Sequence, residues 1–166
     1  MSGSEDVNFA RLRLESVEVS ATSLARNGPI PRKPRRNSVC TSCDTVDANE
    51  LRARVKRFAI RIVKYVQTLP KSAEAQEIGK QLVRAGTGVS ANYHSAGRAR
   101  SRKEFIARLS VVLEEADEAE HWLVILSEAG IGRGSDQRWL LDEAGQLRAI
   151  YQQSVKTARA NHPIRQ

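Results

Sequence analysis

Apolar residues return at steps of three and four along four stretches of the chain, and each stretch predicts a helix with one buried stripe. The first carries Leu51, Val55, Phe58, Ile62, Val66 and Leu69; it begins at Asp47, which with Glu50 has capping-box spacing, and Pro70 prevents its continuation. The second carries Ile78, Leu82, Ala85, Val89, Tyr93 and Ala96, starts at a Ser72 cap with Glu74 and Glu77 in its first turn, and is expected to run to about Ala99. In the third, Ser101 and Glu104 form a capping box ahead of Phe105, Leu109, Val112, Ala116, Ala119, Leu123 and Leu126, and Gly130 closes the helix. The fourth places Leu140, Ala144, Leu147, Tyr151 and Val155 on one face behind a Ser135 N-cap, and Pro163 ends anything beyond it. Amphipathic helices joined by loops this short alternate in direction, so residues 47–160 read as an all-α, up-and-down four-helix bundle, with 161–166 as a tail.

The second helix has a strip almost free of side chain, made by Gly79, Gly86, Ser90 and Gly97, with Gly88 close by. A mid-helix glycine costs roughly 1 kcal/mol against alanine, so the cluster calls for a compensating reason, and close approach of another helix is the one expected. The alternative is a loop over Gly86 to Gly88. Against it, the apolar period continues in phase through that run.

The polar faces are strongly signed. Arg54, Arg57, Arg61 and Lys64 back the first helix, and Lys80, Arg84, Thr87, Ala91, His94 and Arg98 back the second. The hinge into the third helix adds Arg98, Arg100, Arg102 and Lys103. The third helix is the reverse, with an acidic block of Glu114, Glu115, Asp117, Glu118 and Glu120.

The runs IGKQLVRAGTGVSANYHSAGRARSRKEF and LEEADEAEHWLVILSEAG resemble a bacterial four-helix-bundle family, the proteins encoded in intervening sequences of large-subunit ribosomal RNA genes. The accessory proteins of diversity-generating retroelements are similar to it. The resemblance covers about Glu50 to Arg159 and rests on the combination of ANY, SRKEF and the EEADE block. It departs at one point: after ANY the family pattern is a basic residue, then Glu, then Ala, whereas this chain has His94, Ser95 and Ala96. The resemblance implies a homopentameric barrel, a cytoplasmic bacterial protein, and work beside a reverse transcriptase on RNA.

Charge changes the picture next. The chain holds 27 Lys and Arg against 19 Asp and Glu, a formal +8, of which residues 1–49 contribute only +1. The excess therefore belongs to the helical part, and a domain this basic attracts polyanions, nucleic acid first among them. A solvated, Arg-rich helical surface is the plainer alternative. Residues 1–46 show no sustained period and read as a disordered or weakly structured extension; Leu12, Leu14, Val17 and Val19 alternate briefly, and NGPIPRKPRR from Asn27 to Arg36 is a linker or a polyanion-contacting tail.

Candidate chemistry is thin. Cys40 and Cys43 form a lone CxxC without the second ligand pair that zinc needs, and no βαβ pattern supports redox work. Glu118 and His121 have the Glu-x-x-His spacing of di-metal bundles, but once only. GTGVSAN lacks the Lys-Ser/Thr ending of a phosphate loop. No enzyme, cofactor or metal is expected, no apolar run is long enough for a membrane span, and no signal peptide is visible. Two functions remain open. One is a nucleic-acid-binding oligomeric accessory protein using Arg54, Arg57, Arg61, Lys64, Lys80, Arg84, Arg98, Arg100, Arg102 and Lys103 on phosphates; the other is a self-assembling scaffold whose acidic and basic faces serve oligomer contacts only. Trp122 and Trp139 are too few to form a base-stacking platform.

Overall fold

A computed structural model describes residues 48–160, which form four α-helices: α1 Ala48–Gln67, α2 Ala73–Ala96, α3 Arg102–Glu128 and α4 Ser135–Ala160. The extension 1–46 with Cys40 and Cys43, the Asp47 cap and the tail 161–166 lie outside the described residues. Each helix packs on its neighbours in chain order, and α4 returns to α1, while the backbones of the two diagonal pairs, α1 with α3 and α2 with α4, stay apart. This is the up-and-down bundle that the short loops require.

The predicted stripes meet at the centre. Phe58, Ile62, Leu82, Val89, Val112, Leu123, Leu126, Leu140 and Leu147 are all fully enclosed. Burying each such side chain is worth about 1.5–3 kcal/mol relative to exposure, which is what holds helices of mixed propensity in place. Val66, Ile78 and Phe105 from the same stripes are only partly covered at the rim, and Tyr65 and Ile150 join the core from outside the predicted set. Tyr93 and Tyr151 bridge the diagonal between α2 and α4 with ring centroids 5.5 Å apart.

The boundaries follow from named caps. Ser72 Oγ accepts from Ala75 N–H, and Ser101 Oγ accepts from Glu104 N–H at 3.1 Å, while the Glu104 carboxylate reaches back to Arg100 N–H at 2.9 Å. That last bond, helped by Arg108, holds the Glu104 carboxyl below the usual carboxylate range. At the end of α3, Gly130 takes φ +68°, Ile131 N–H donates to Leu126 C=O and Gly130 N–H to Ser127 C=O, the paired bonds of a Schellman motif. Two expectations shift. α2 ends at Ala96 rather than Ala99, because Arg98 and Ala99 turn back in tight bonds to Ser95 and Ala96. Ser135 is the first residue of α4 rather than its cap, and the Gly134 carbonyl accepts the bond from Arg138 N–H.

α2 is helical straight through Gly86 to Gly88, and the reason for its glycines is visible. A Cβ at Gly79 would sit 2.9 Å from Val66 Cγ1, and one at Gly86 would overlap Ile62 Cδ1. Gly97 meets Arg52, so this strip faces α1 along its length. Gly88 faces the other way, where its Cβ would lie 2.5 Å from Glu115 Cδ on α3.

Candidate nucleic-acid interface

The ten candidate cations do not share one fate. On α1, Arg54 and Arg61 flank the buried stripe and turn towards α4. Arg54 Nε donates to Glu143 Oε1 at 2.6 Å, its Nη2 donates to Glu143 Oε2 at 2.9 Å, and the same Nη2 reaches Gln146 Oε1 at 2.7 Å. Glu143 is buried, and its hydrogen bonds hold the Arg54 guanidinium charged beyond its ordinary range despite the cost of burial. Two turns on, Arg61 pairs with Asp136 at 2.6 Å and lies 4.1 Å from the centre of the Trp139 ring. The two acids are seven residues apart on α4, as the two arginines are on α1, running antiparallel. Arg57 and Lys64, on the outer side of the same helix, are exposed and make no ion pair within the described residues.

Arg102 is also drawn inward. Its Nη2 donates to Ala158 C=O at 2.7 Å, one of the carbonyls that the last turn of α4 leaves without a helical partner. A guanidinium in the first turn of α3 opposes that helix's own dipole, and its place on the C-terminal end of α4 offsets this. Its Nε is buried with no hydrogen-bond partner among the described residues.

The remaining candidates stay on the surface. Lys80 pairs with Glu77 at 3.1 Å in a solvent-exposed contact of small worth, and Arg84, Arg98, Arg100 and Lys103 are exposed. Between Glu77 and Glu104 the chain contains no carboxylate, so the outer face of α2 and the hinge after it carry cations with no acid of their own, and the carboxylates set against that span are Glu115 of α3, beside Gly88, and Glu104, on the hinge backbone. Lys80 and Arg84 also stand with Lys71 on the rim of a groove of about 540 Å³ between the end of α1 and the start of α2, whose floor is Val66, Leu69, Gly79 and Val83.

The acidic block of α3 does not absorb these cations. Its intramolecular partner is Arg148 of α4, which lies 2.5 Å from Glu120 and 3.8 Å from Asp117 and is held charged chiefly by the Glu120 hydrogen bond. Glu115 has its carboxyl pushed up, first by burial against α2 and then by Glu118, with Arg84 the opposing influence. Glu118 accepts from Trp122 Nε1 at 3.1 Å, and His121 stands edge-on to the Trp122 ring. Among the described residues no group of three or more His, Cys, Asp or Glu side chains is placed to share a metal ion, and no helix is long and apolar enough to cross a membrane.

Sequence reasoning missed two partners that define this surface. Glu143 and Asp136 decide which α1 arginines are free, and the matched seven-residue spacing was the available signal. Ser95, which replaces the expected glutamate, accepts from Arg108 Nη1, and Arg108 also binds Glu104, so a hydroxyl keeps the α2–α3 polar link.

A comparison with curated proteins gives no match. Among solved structures, the chain is similar to the crystal structure of a protein of unknown function from the S23 ribosomal protein family of Bacteroides thetaiotaomicron. The two are 27% identical with a TM-score of 0.59, over 66% of this chain and 97% of that one. Residues 48–153, nearly all of the described bundle, match the family described as 23S rRNA-intervening sequence protein. With four helices in the expected order and the sequence match running across all of them, the chain belongs to the 23S rRNA-intervening sequence protein family.

Proposed function

We propose that the protein is a non-enzymatic, nucleic-acid-binding accessory protein that assembles with itself and holds RNA or DNA by its phosphate backbone. The observation that carries this reading is the carboxylate-free span from Ile78 to Lys103, whose Arg84, Arg98, Arg100 and Lys103 are exposed and make no ion pair among the described residues. Cations arranged this way bind polyanions without reading bases, because phosphates are alike along the strand. The family description, tied to ribosomal RNA genes, supports RNA as the first ligand to try. A homopentameric, cytoplasmic protein serving a reverse transcriptase belongs to the same proposal and rests on the sequence resemblance alone. The scaffold reading keeps one observation in its favour: Arg54, Arg61 and Arg102 are already engaged in packing the bundle.

The test is fluorescence anisotropy of the full chain against a structured RNA and a mixed-sequence DNA duplex across a salt series. Binding weakens steeply with salt as counterions are displaced, and each lost phosphate contact lowers the log–log slope by about 1. Arg84→Glu with Arg98→Glu and Arg100→Glu weakens binding to every sequence alike, whereas Arg61→Glu has a far smaller effect. Absence of binding at low salt by folded protein overturns the reading in favour of a scaffold.

A further inference from the structure

Where the chain turns from α1 into α2 the core stripe is left partly open: Val66 and Val83 pack on the core but are only partly covered. Between them lies the groove of about 540 Å³, and its sides follow the ridges of α2. Ala75, Gly79 and Val83, four residues apart, make one ridge and form the floor; Gln76, Lys80 and Arg84, one position on, make the next ridge and form a polar wall. Gly79 keeps that floor low, since a Cβ there would already stand 2.9 Å from Val66 Cγ1. Gln67 and Lys71 stand on the side of α1. The lining therefore joins an uncharged apolar floor to two amides and three cations, with no carboxylate among the lining residues. Lys80 pairs with Glu77, but in an exposed contact that a second anion can displace at little cost.

We infer that this groove receives one unpaired base of an RNA strand whose phosphates lie along the outer face of α2. The inference rests on the reading of those cations as a phosphate-binding surface, and it adds a base site at one end of it. Each part of a nucleotide finds a counterpart. The apolar face of a base covers Val66 and Val83, and aliphatic side chains serve for such stacking as aromatic ones do. The polar edge of the base meets the amides of Gln67 and Gln76, each of which offers both a donor and an acceptor. Gln76 is steadied for this by donating from Nε2 to Lys71 C=O at 3.3 Å. The phosphates on either side of the base meet Lys71, Lys80 and Arg84. A volume of this size lies in the range of small-molecule sites, about 300–1,000 Å³.

Continuity favours a nucleic acid over other occupants. Arg84 belongs both to the groove and to the outer face of α2, and Arg98 lies fourteen positions on, about 21 Å along the same side. A strand held from Arg98 to Arg84 is thereby delivered to the groove. An acidic peptide matches the cations of the rim but leaves the rest of that face unused, and a purely apolar ligand leaves the cations without counter-charge. A paired base cannot enter, because its faces are stacked and its edge is already hydrogen-bonded; bulges, loops and single strands present what the groove takes.

The test uses the full chain and three labelled RNA hairpins, read by fluorescence anisotropy: a fully paired stem, the same stem with one bulged adenosine, and the same bulge made abasic. Wild type binds the adenosine bulge about fivefold more tightly than the other two, the low end of what one stacked base contributes because the floor is aliphatic. Val83→Ser, which removes floor area and leaves every charge in place, erases that preference while affinity for the paired stem, its salt dependence and the helical circular dichroism stay as in wild type. The abasic hairpin needs no variant, so it decides the matter even if Val83→Ser fails to fold. Equal affinity for all three hairpins overturns the base site and leaves phosphate binding standing. A preference for the bulge that survives in the abasic hairpin also overturns the site, since a flexible backbone is then what is recognised. A labelled peptide of alternating Glu and Leu that binds wild type but not Val83→Ser, with no preference among the hairpins, overturns it in favour of an acidic protein partner. Absence of binding to every hairpin at low salt overturns the site and the phosphate-binding reading together.

Discussion

Helix α1 is held on its two sides by opposite means. Towards α2 it meets glycines, and Ile62 and Val66 fill the space that side chains at Gly86 and Gly79 would take. Towards α4 it meets acids: Arg54 on Glu143 and Arg61 on Asp136. The first seam is dry and specified by shape, so nothing in it can be enlarged. The second is polar and specified by charge, and it tolerates size while punishing an unmatched partner. Because both seams lie on one helix of known register, they separate the cations of α1 into those that build the bundle and those left outside it.

The largest expected effect comes from the dry seam. Gly86→Val drives a side chain into Ile62, which is fully buried, and lowers stability by about 3 kcal/mol in urea unfolding. The sharper form is a double-mutant cycle. Gly86→Ala brings its Cβ against Ile62 Cδ1, and Ile62→Val deletes that atom, so the pair loses less than the sum of the single changes by about 1 kcal/mol or more. A simple sum within error shows that the seam has slack. At Gly145 on α4, where a Cβ would have an ordinary 3.5 Å contact with Glu120, alanine instead stabilises by up to about 1 kcal/mol.

In the polar seam, Glu143→Ala leaves Arg54 without its counter-charge. The Arg54 side chain keeps 22% of its exposure, so the loss falls below that of a fully buried pair, at about 2 kcal/mol. Arg54→Met with Glu143→Leu removes both charges and returns stability to within about 1 kcal/mol of the parent. If the double variant is as weak as the single, the seam depends on the hydrogen bonds themselves and the contrast with the glycine seam fails.

The smallest effect concerns Tyr151, fully buried beside this seam, whose hydroxyl has no hydrogen-bond partner among the described residues. Tyr151→Phe deletes that hydroxyl and gains up to about 1 kcal/mol. Burial also pushes the Tyr151 phenol well above its ordinary value, with the Tyr93 ring adding to the shift. Above about pH 10 the unfolded chain therefore sheds a proton that the folded chain retains, and stability falls as pH rises. Unfolding curves collected from pH 8 to 11 show a shallower alkaline decline for the Phe variant; parallel declines would place the titration elsewhere.

The fold was legible because each helix carries its own instructions. Ser72, the Ser101–Glu104 pair and Gly130 act within a turn of where they stand, and the apolar stripes need only the helical period to be read. Which of the candidate cations are exposed was legible in part. Arg57 and Lys64 lie opposite the stripe, and a wheel places them in solvent correctly. Arg54 and Arg61 sit at the edge of the stripe, three residues after Leu51 and Phe58, where a wheel cannot tell water from a neighbour. Their partners are more than seventy residues away in sequence.

The sequence by itself determined four amphipathic helices, their polarity of charge and the glycines of α2, because helical period, capping and net charge are properties of residues a few positions apart. Only the tertiary structure decided which charges remain to be used. Pairing with Glu143, Asp136 and the end of α4 depends on which helices become neighbours and in what register, and that follows from the packing of the whole core. The same packing sets the basic face of α1 and the acidic face of α3 on opposite sides of one bundle.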